Sequence, residues 1–315
     1  MKLAAVVLVC ATVAAPATRL DAQELPPPPG KLVAVGGYKL HVHCTGAGSP
    51  TVILESGASS FAIDWALVQP AVARSNRVCS YDRAGYGWSE PAAYDLRGDD
   101  AVRVLHRALD ALGEKPPFVL VGQSMGGRFV RLFARAYRSE ARGMVLVDAE
   151  HEDGLFIGFS GRAAAISSLS DEEFDRAWTP PAGPPPAIPQ AKLQAAHLKL
   201  PPELQAIRLQ LEQRLLRSMY SATVDSMRAT VRSEHTALRT LHQLSAEEEH
   251  PLKDLPLIVL TRGLDENPNR LRLQESLVRL SAVGKQVVVA DSDHEIHLFR
   301  PDVVIQAIQD VQKEK

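Results

Sequence analysis

Short apolar runs alternate with stretches of helical spacing along most of the chain. Strand-like runs occur at residues 38–44, 51–54, 77–81, 118–121, 144–147, 257–260 and 286–290. Apolar positions recur at helical spacing over residues 99–112, 128–138 and about 271–280, and again from 302 onward. Since strands alternate with helices, the pattern predicts an α/β fold with a mostly parallel, doubly wound sheet.

The alternation stops after Asp148 and resumes at Leu257. Residues 151–250 contain no strand-like run; they include a proline-rich stretch and then carry apolar residues at helical spacing. A helical excursion that leaves a sheet at one strand and returns at the next is typical of a cap. We therefore predict a helical cap over about 151–250, between the sixth and seventh strands.

The N-terminal residues are typical of a secretory signal peptide. Lys2 precedes an apolar run over residues 3–15, which is shorter than the ~20 residues that a bilayer-spanning helix needs. We expect a signal peptide over 1–22, a proline-rich tether over 23–34 and one domain over 35–315. The protein would then be exported to the periplasm or secreted, without stable membrane insertion; an uncleaved membrane anchor is the alternative.

Composition narrows the function classes. The 315 residues are 45% hydrophobic and 23% charged, which is ordinary for a globular protein and excludes disorder over most of the length. Because 35 basic residues face 37 acidic ones, the chain lacks the positive surplus that binds phosphates. We expect no nucleic-acid partner, and the sequence leaves the oligomeric state open.

The candidate chemistry lies in the run Gly122–Gly126, which has the form G-x-S-x-G between a predicted strand and a predicted helix. A strand that turns at once into a helix strains the backbone at the central residue and exposes its side chain. The pattern predicts Ser124 as a nucleophile, with the amide of Met125 at the helix start facing the oxyanion.

A serine nucleophile needs a base. His294 is the first histidine after the last predicted strand, where a loop side chain can reach Ser124, so we predict it as the base. His297 is the fallback. His41 and His43 share a strand face, but no third ligand is placed near them, and we predict no metal site.

Four stretches of the chain together resemble the α/β-hydrolase superfamily, of the α/β-hydrolase-1 type. They are LESG at 54–57, YDRAGYGWS at 81–89, VGQSMGG at 121–127 and SDHEIHLFRPDVV at 292–304. The resemblance implies that the amide of Ala58 completes the oxyanion hole. The chain departs from it at Glu55 and Ser56, where many members carry His-Gly; Arg83 is interpreted as a loop-forming residue.

The resemblance also bears on the triad acid and on the cysteines. Such hydrolases usually take the acid from the loop after the strand that follows the cap, which makes Asp265 the first choice; some relatives use the end of the preceding strand, where Asp148 lies. The second and fourth strands are neighbours in the superfamily's sheet, so Cys44 and Cys79 could form a disulfide, with two free thiols as the alternative.

The predicted function is hydrolysis of an ester, thioester or lactone of a small molecule through an acyl-enzyme on Ser124, without a cofactor. An aminopeptidase-like amide hydrolase, an acyltransferase and a non-catalytic ligand-binding protein on the same fold are the alternatives.

Overall fold

The computed structural model describes residues 25–93, 95–157, 163–178, 187–265 and 267–313. The predicted signal peptide over 1–22 lies outside the described residues. In the described part of the chain, no helix is both long enough and apolar enough to cross a bilayer.

The strands of the described residues, numbered in chain order, are β1 (Lys31–Ala34), β2 (Lys39–Thr45), β3 (Thr51–Glu55), β4 (Val78–Tyr81), β5 (Phe118–Gln123), β6 (Ala141–Val147), β7 (Leu155–Ile157), β8 (Ala163–Ala165), β9 (Leu257–Arg262) and β10 (Lys285–Val289). Eight of them form one main sheet in the order β1-β2-β4-β3-β5-β6-β9-β10. In this sheet the pairs β1–β2 and β2–β4 are antiparallel, and the other five pairs are parallel. The predicted mostly parallel sheet is confirmed.

The helices lie between the strands, as the alternating pattern predicts. The helix predicted over 99–112 has those bounds in the structure, because its apolar positions are regular and Gly113 ends it in the left-handed conformation. The helices are α1 (Gln69–Val72), α2 (Asp99–Leu112), α3 (Gly126–Ala136), α4 (Asp171–Trp178), α5 (Pro202–Tyr220), α6 (Val224–Glu247), α7 (Pro268–Val278), α8 (Ile296–Phe299) and α9 (Pro301–Lys313).

Each face of the sheet packs against its own set of helices. Leu120 of β5 belongs to a buried cluster with Leu105 of α2 and Phe133 of α3. The next residue, Val121, belongs to a second cluster with Ile308 of α9. Because successive side chains of a strand point to opposite faces, one apolar run in β5 supplies both layers of the core.

Residues 148–256, which we call the insertion, connect β6 to β9, the sixth and seventh strands of the main sheet. They contain α4, α5 and α6, in agreement with the helical spacing. The expectation of no strand in this region was wrong, since β7 and β8 pair as a small antiparallel sheet. Three alanines over Ala163–Ala165 show neither alternation nor β-branching, so the pattern does not reveal the strand. The role of the insertion as a cap stays a prediction.

The N-terminal end of the described chain lies against β2 and the loop after β4. Residues 31–34, assigned from the sequence to the tether, form β1 and pair with β2. The buried His41 contacts Asp82 through Nδ1 at 2.7 Å and the carbonyl oxygen of Pro29 through Nε2. Trp88 Nε1 donates to the carbonyl oxygen of Pro26 at 2.8 Å. Part of the proline-rich segment is thus bound to the domain.

Cys44 of β2 and Cys79 of β4 form a disulfide bond, with an S–S distance of 2.03 Å. The antiparallel register of β2 and β4 puts these two residues directly opposite each other. Register depends on pairing between strands, which is why the sequence left free thiols open.

Candidate active site

Ser124 lies at the turn between β5 and α3 and has a positive φ of 52°. A non-glycine residue rarely adopts this conformation, which costs on the order of 1–3 kcal/mol. The flanking glycines make room for the turn. A Cβ on Gly122 would lie 2.6 Å from the carbonyl oxygen of Gly126, and one on Gly126 would lie 2.5 Å from that of Glu55. The G-x-S-x-G spacing is therefore a steric requirement of this strand-to-helix turn.

His294 lies in the loop between β10 and α8, with its side chain 30% exposed. Its Nδ1 lies 2.5 Å from Asp148 Oδ2. Because a carboxylate only accepts hydrogen bonds, Nδ1 carries the proton and Nε2 keeps its lone pair. Nε2 is turned toward the end of β5, where the side-chain nitrogen of Gln123, the residue before Ser124, lies at 3.4 Å. The imidazole thus connects Asp148 to the turn that carries Ser124.

The pKa of His294 lies below its ordinary value. Burial is the main cause, and the nearby guanidinium groups of Arg262 and Arg270 lower it further, against the raising effect of Glu295 and Asp293. These effects favour the neutral imidazole, which is the form that can accept a proton.

Asp148 directly follows β6 and is fully buried. Its backbone amide donates to the carbonyl oxygen of Leu260 at 2.8 Å, which ties the residue to β9. Its Oδ1 accepts from the backbone amide of Arg262 at 3.1 Å and from the side chain of Arg270. Both carboxylate oxygens are thereby occupied, one by these donors and one by His294, and the buried charge is compensated.

Asp265, the first choice for the triad acid, is not brought to His294. Its Oδ2 contacts Arg262 and, at 3.1 Å, Arg270 Nε, while Oδ1 accepts from the backbone amide of Asn267 at 3.0 Å. The hydrogen bonds from Arg262 and from the Asn267 amide hold the pKa of Asp265 below its ordinary value. The structure therefore places Asp148, the alternative acid, in contact with His294. Asp265 contacts Arg270, which in turn contacts Asp148.

The two predicted oxyanion donors flank Ser124. Met125 follows it at the start of α3, and the segment that carries Ala58 passes close by, since a Cβ on Gly57 would lie 3.0 Å from Ser124 Cβ. Within the described residues, neither the amide of Ala58 nor that of Met125 donates a hydrogen bond to another protein atom. Both are thus available to a ligand atom.

A buried ion pair lies directly behind this segment, and sequence reasoning missed it. Arg83 Nη1 donates to Glu55 Oε1 at 2.8 Å and to the carbonyl oxygen of Ser56 at 2.6 Å, and Nη2 donates to that of Gly57 at 2.6 Å. The hydroxyl of Tyr81 donates to the other oxygen of Glu55. The available signal was an acidic residue directly after the apolar run at residues 52–54, because a buried carboxylate requires a cationic partner.

His297, the fallback base, lies within the core. It is 2% exposed, and its ring centroid lies 4.8 Å from that of Trp65. Burial, with the neighbouring His294 and His197, lowers the pKa of His297 to about 3. The ring is neutral near pH 7 and contributes to packing.

Comparison with known proteins agrees with this architecture. Residues 40–307 match the family model described as the Alpha/beta hydrolase family. The 2-hydroxy-6-oxo-2,4-heptadienoate hydrolase of Pseudomonas putida (strain F1) is 33% identical over 135 residues, which are 40% of this chain and 48% of that protein. The matched stretches cover less than half of the length of this and the other first curated relatives.

Solved structures share the fold over nearly the whole chain. The enol-lactonase from Burkholderia xenovorans LB400 has a TM-score of 0.60 at 17% identity, with 90% of this chain and 100% of that one covered. A thermophilic esterase from Thermogutta terrifontis has a TM-score of 0.59 at 20% identity, with 89% and 96% covered. At such identities the likeness concerns the fold alone.

Proposed function

Because the chain belongs to the alpha/beta hydrolase family, we propose that it is a serine hydrolase that cleaves an ester, thioester or lactone bond through an acyl-enzyme on Ser124. One observation carries the proposal. The imidazole of His294 is bound to a buried carboxylate through Nδ1 while Nε2 is turned toward the end of β5, beside a serine in a positive-φ turn. A carboxylate-bound imidazole close to a serine in a strained turn supports a nucleophile, base and acid arrangement for acyl transfer.

In the proposed mechanism, Ser124 Oγ attacks the substrate carbonyl and its proton passes to His294 Nε2. The amides of Met125 and Ala58 donate to the oxyanion of the tetrahedral intermediate. The proton then moves from Nε2 to the leaving group, and an acyl-serine remains. A water molecule gives a proton to Nε2 and attacks the acyl carbon. As the bond between the acyl carbon and Ser124 Oγ breaks, Nε2 returns this proton to Oγ, which releases the acid and regenerates Ser124. Asp148 holds the imidazole in the required tautomer and stabilises its charged form.

We propose an acyl or leaving group of small to medium size and apolar character. A cavity of about 480 Å³ lies between the loop after β4 and helices α5 and α6, with mainly apolar walls that include Leu215, Met227 and Val231. Arg97 lines this cavity and also contacts Met125, the residue after Ser124. The curated relative named above is, by its name, a hydrolase of 2-hydroxy-6-oxo-2,4-heptadienoate, which supports a small substrate that carries a carbonyl group.

We propose that the protein is exported. The disulfide between Cys44 and Cys79 supports this, because such bonds persist mainly in oxidising compartments.

The decisive experiment treats the purified protein with a fluorophosphonate and records intact mass, alongside Ser124→Ala and His294→Ala. We expect one adduct on the wild type, none on Ser124→Ala and slow labelling of His294→Ala. Turnover of p-nitrophenyl butyrate, thioester and amide analogues then separates ester from amide hydrolysis, and dependence on an added alcohol would indicate acyl transfer. A folded wild type that neither labels nor turns over these compounds would favour a ligand-binding protein.

A further inference from the structure

We propose that Arg83 is a positioning residue that orients and polarises the peptide between Gly57 and Ala58, whose N–H is the oxyanion donor; this rests on the proposed function. Arg83 and its buried partner Glu55 lie directly behind this peptide, on the side of its carbonyl oxygen.

The geometry follows from the planarity of the peptide group. The carbonyl of Gly57 and the N–H of Ala58 belong to one trans peptide unit and point in opposite directions. Arg83 Nη2 donates to that carbonyl oxygen at 2.6 Å, from the side opposite the N–H. Arg83 Nη1 holds the preceding carbonyl, that of Ser56, at 2.6 Å. Two consecutive peptides are therefore fixed by one guanidinium, and rotation of the Gly57–Ala58 peptide would break a charge-assisted hydrogen bond.

The hydrogen bond from Arg83 to the Gly57 carbonyl also makes the Ala58 N–H a stronger donor. A cation bound to the carbonyl end of a peptide draws electron density from its N–H end, and hydrogen bonds in such a chain reinforce one another at low local dielectric. Arg83 is 4% exposed and Glu55 is fully buried, so little solvent screens the effect. Arg83 thus acts on the oxyanion through the backbone without touching it.

Arg83 is itself held in place on several sides. Glu55 binds Nη1 at 2.8 Å and is bound in turn by the hydroxyl of Tyr81. The guanidinium carbon lies 4.6 Å from the ring centroid of Tyr86 and 5.4 Å from that of Phe129. An arginine that is restrained in this way loses little conformational freedom when it orients the peptide, and the two nitrogens of its planar fork are spaced to reach two carbonyls, a geometry that lysine lacks.

The test compares Arg83→Lys with wild type. Lysine keeps the positive charge near Glu55 but has one nitrogen in place of the two that reach the carbonyls of Ser56 and Gly57. We expect the acylation rate with p-nitrophenyl butyrate to fall by about 10- to 100-fold with KM nearly unchanged, less than the loss of a whole oxyanion donor. Inhibition by n-pentyl trifluoromethyl ketone, whose serine adduct carries an oxyanion, should weaken by a similar factor. Inhibition by the corresponding methyl carbinol, which forms no adduct, should stay the same.

The matched control is Arg131→Lys, which alters a different buried arginine–glutamate pair from that of Arg83 and Glu55. Arg131 binds Glu152 with two contacts of 2.7 and 2.9 Å and is 3% exposed. We expect this variant to lose stability but to keep both the acylation rate and the ketone affinity. Equal kinetic losses in the two variants, or no loss in Arg83→Lys, would overturn the inference while leaving Ser124 chemistry intact.

A second variant tests the inference in case Arg83→Lys does not fold. The triple change Glu55→Met, Tyr81→Phe and Arg83→Met replaces the whole network with apolar side chains, which proteins often tolerate. It should fold and show the same selective loss of acylation and ketone affinity; a folded triple variant with wild-type acylation would refute the inference. If the wild type itself shows no serine-dependent turnover, the proposed function fails first and the inference with it.

Discussion

Two carboxylates follow neighbouring strands at the same edge of the sheet, and their surroundings differ. Asp148 comes immediately after β6, is fully buried and contacts His294 at 2.5 Å. Asp265 comes three residues after the end of β9, is partly exposed and contacts two arginines. Because Val147 pairs with Leu260, Asp148 is level with Thr261 of β9, whereas Asp265 lies four residues beyond Thr261 and past the end of that strand.

The comparison shows that the two residues belong to one chain of contacts. Asp265 binds Arg262 and Arg270, these arginines bind Asp148, and Asp148 binds His294. Asp148 contacts the imidazole and therefore sets its tautomer. Asp265 acts only through the arginines, by changing the electrostatic surroundings and the position of Asp148. We therefore expect graded effects when each link is changed.

The largest effect is expected for Asp148→Asn. An amide at this position can present its NH₂ group to His294 and favour the wrong tautomer, so kcat/KM for p-nitrophenyl butyrate should fall by about 10³- to 10⁴-fold. Steady-state kinetics and circular dichroism would separate a catalytic loss from unfolding. If Asp265→Asn lost as much activity as Asp148→Asn, the assignment of the acid would be reversed or shared.

An intermediate effect is expected for Arg270→Gln. Activity requires neutral His294, so the rate falls as pH decreases through the pKa of this imidazole, and a lowered pKa preserves activity at acid pH. Arg270 contributes to that lowering. Its removal should raise the pKa and move the acid limb of the kcat/KM profile to higher pH.

The exposed Arg272, also in α7, offers the control, because it contacts Asn269 and is not among the groups that shift His294. Arg272→Gln should leave the pH profile where it is. An Arg270→Gln profile that coincides with wild type would show that this charge does not reach the imidazole.

The smallest effect is expected for Asp265→Asn. The change leaves Asp148 in contact with His294 but removes a negative charge from Arg262 and Arg270, whose positive charges then act more strongly on the imidazole. We expect less than about tenfold loss in kcat/KM, equivalent to under about 1.4 kcal/mol of barrier. The acid limb of the kcat/KM profile should move to lower pH, opposite to the shift for Arg270→Gln. A shift to higher pH would show that Asp265 does not act on His294 through the two arginines.

Regular local patterns in the sequence predicted most of the helices and strands. The apolar spacing and the glycine that follows predicted α2 at its observed bounds, and continuous apolar runs located β3, β5, β6 and β9 to within a few residues. The short strands β1, β7 and β8 were missed because three or four residues show no periodicity. The strand–G-x-S-x-G–helix context predicted the turn that holds Ser124, since its constraint is steric and local.

What remained undecided depended on neighbours distant in sequence. The sequence by itself determined the alternating α/β order, the Ser124 turn and the late position of His294, because each follows from residues within one or two elements. Only the tertiary structure brought Asp148 to His294, aligned Cys44 with Cys79 and put Arg83 behind Gly57. These contacts span between 26 and 146 residues, and they arise from strand order and register, which no local pattern encodes.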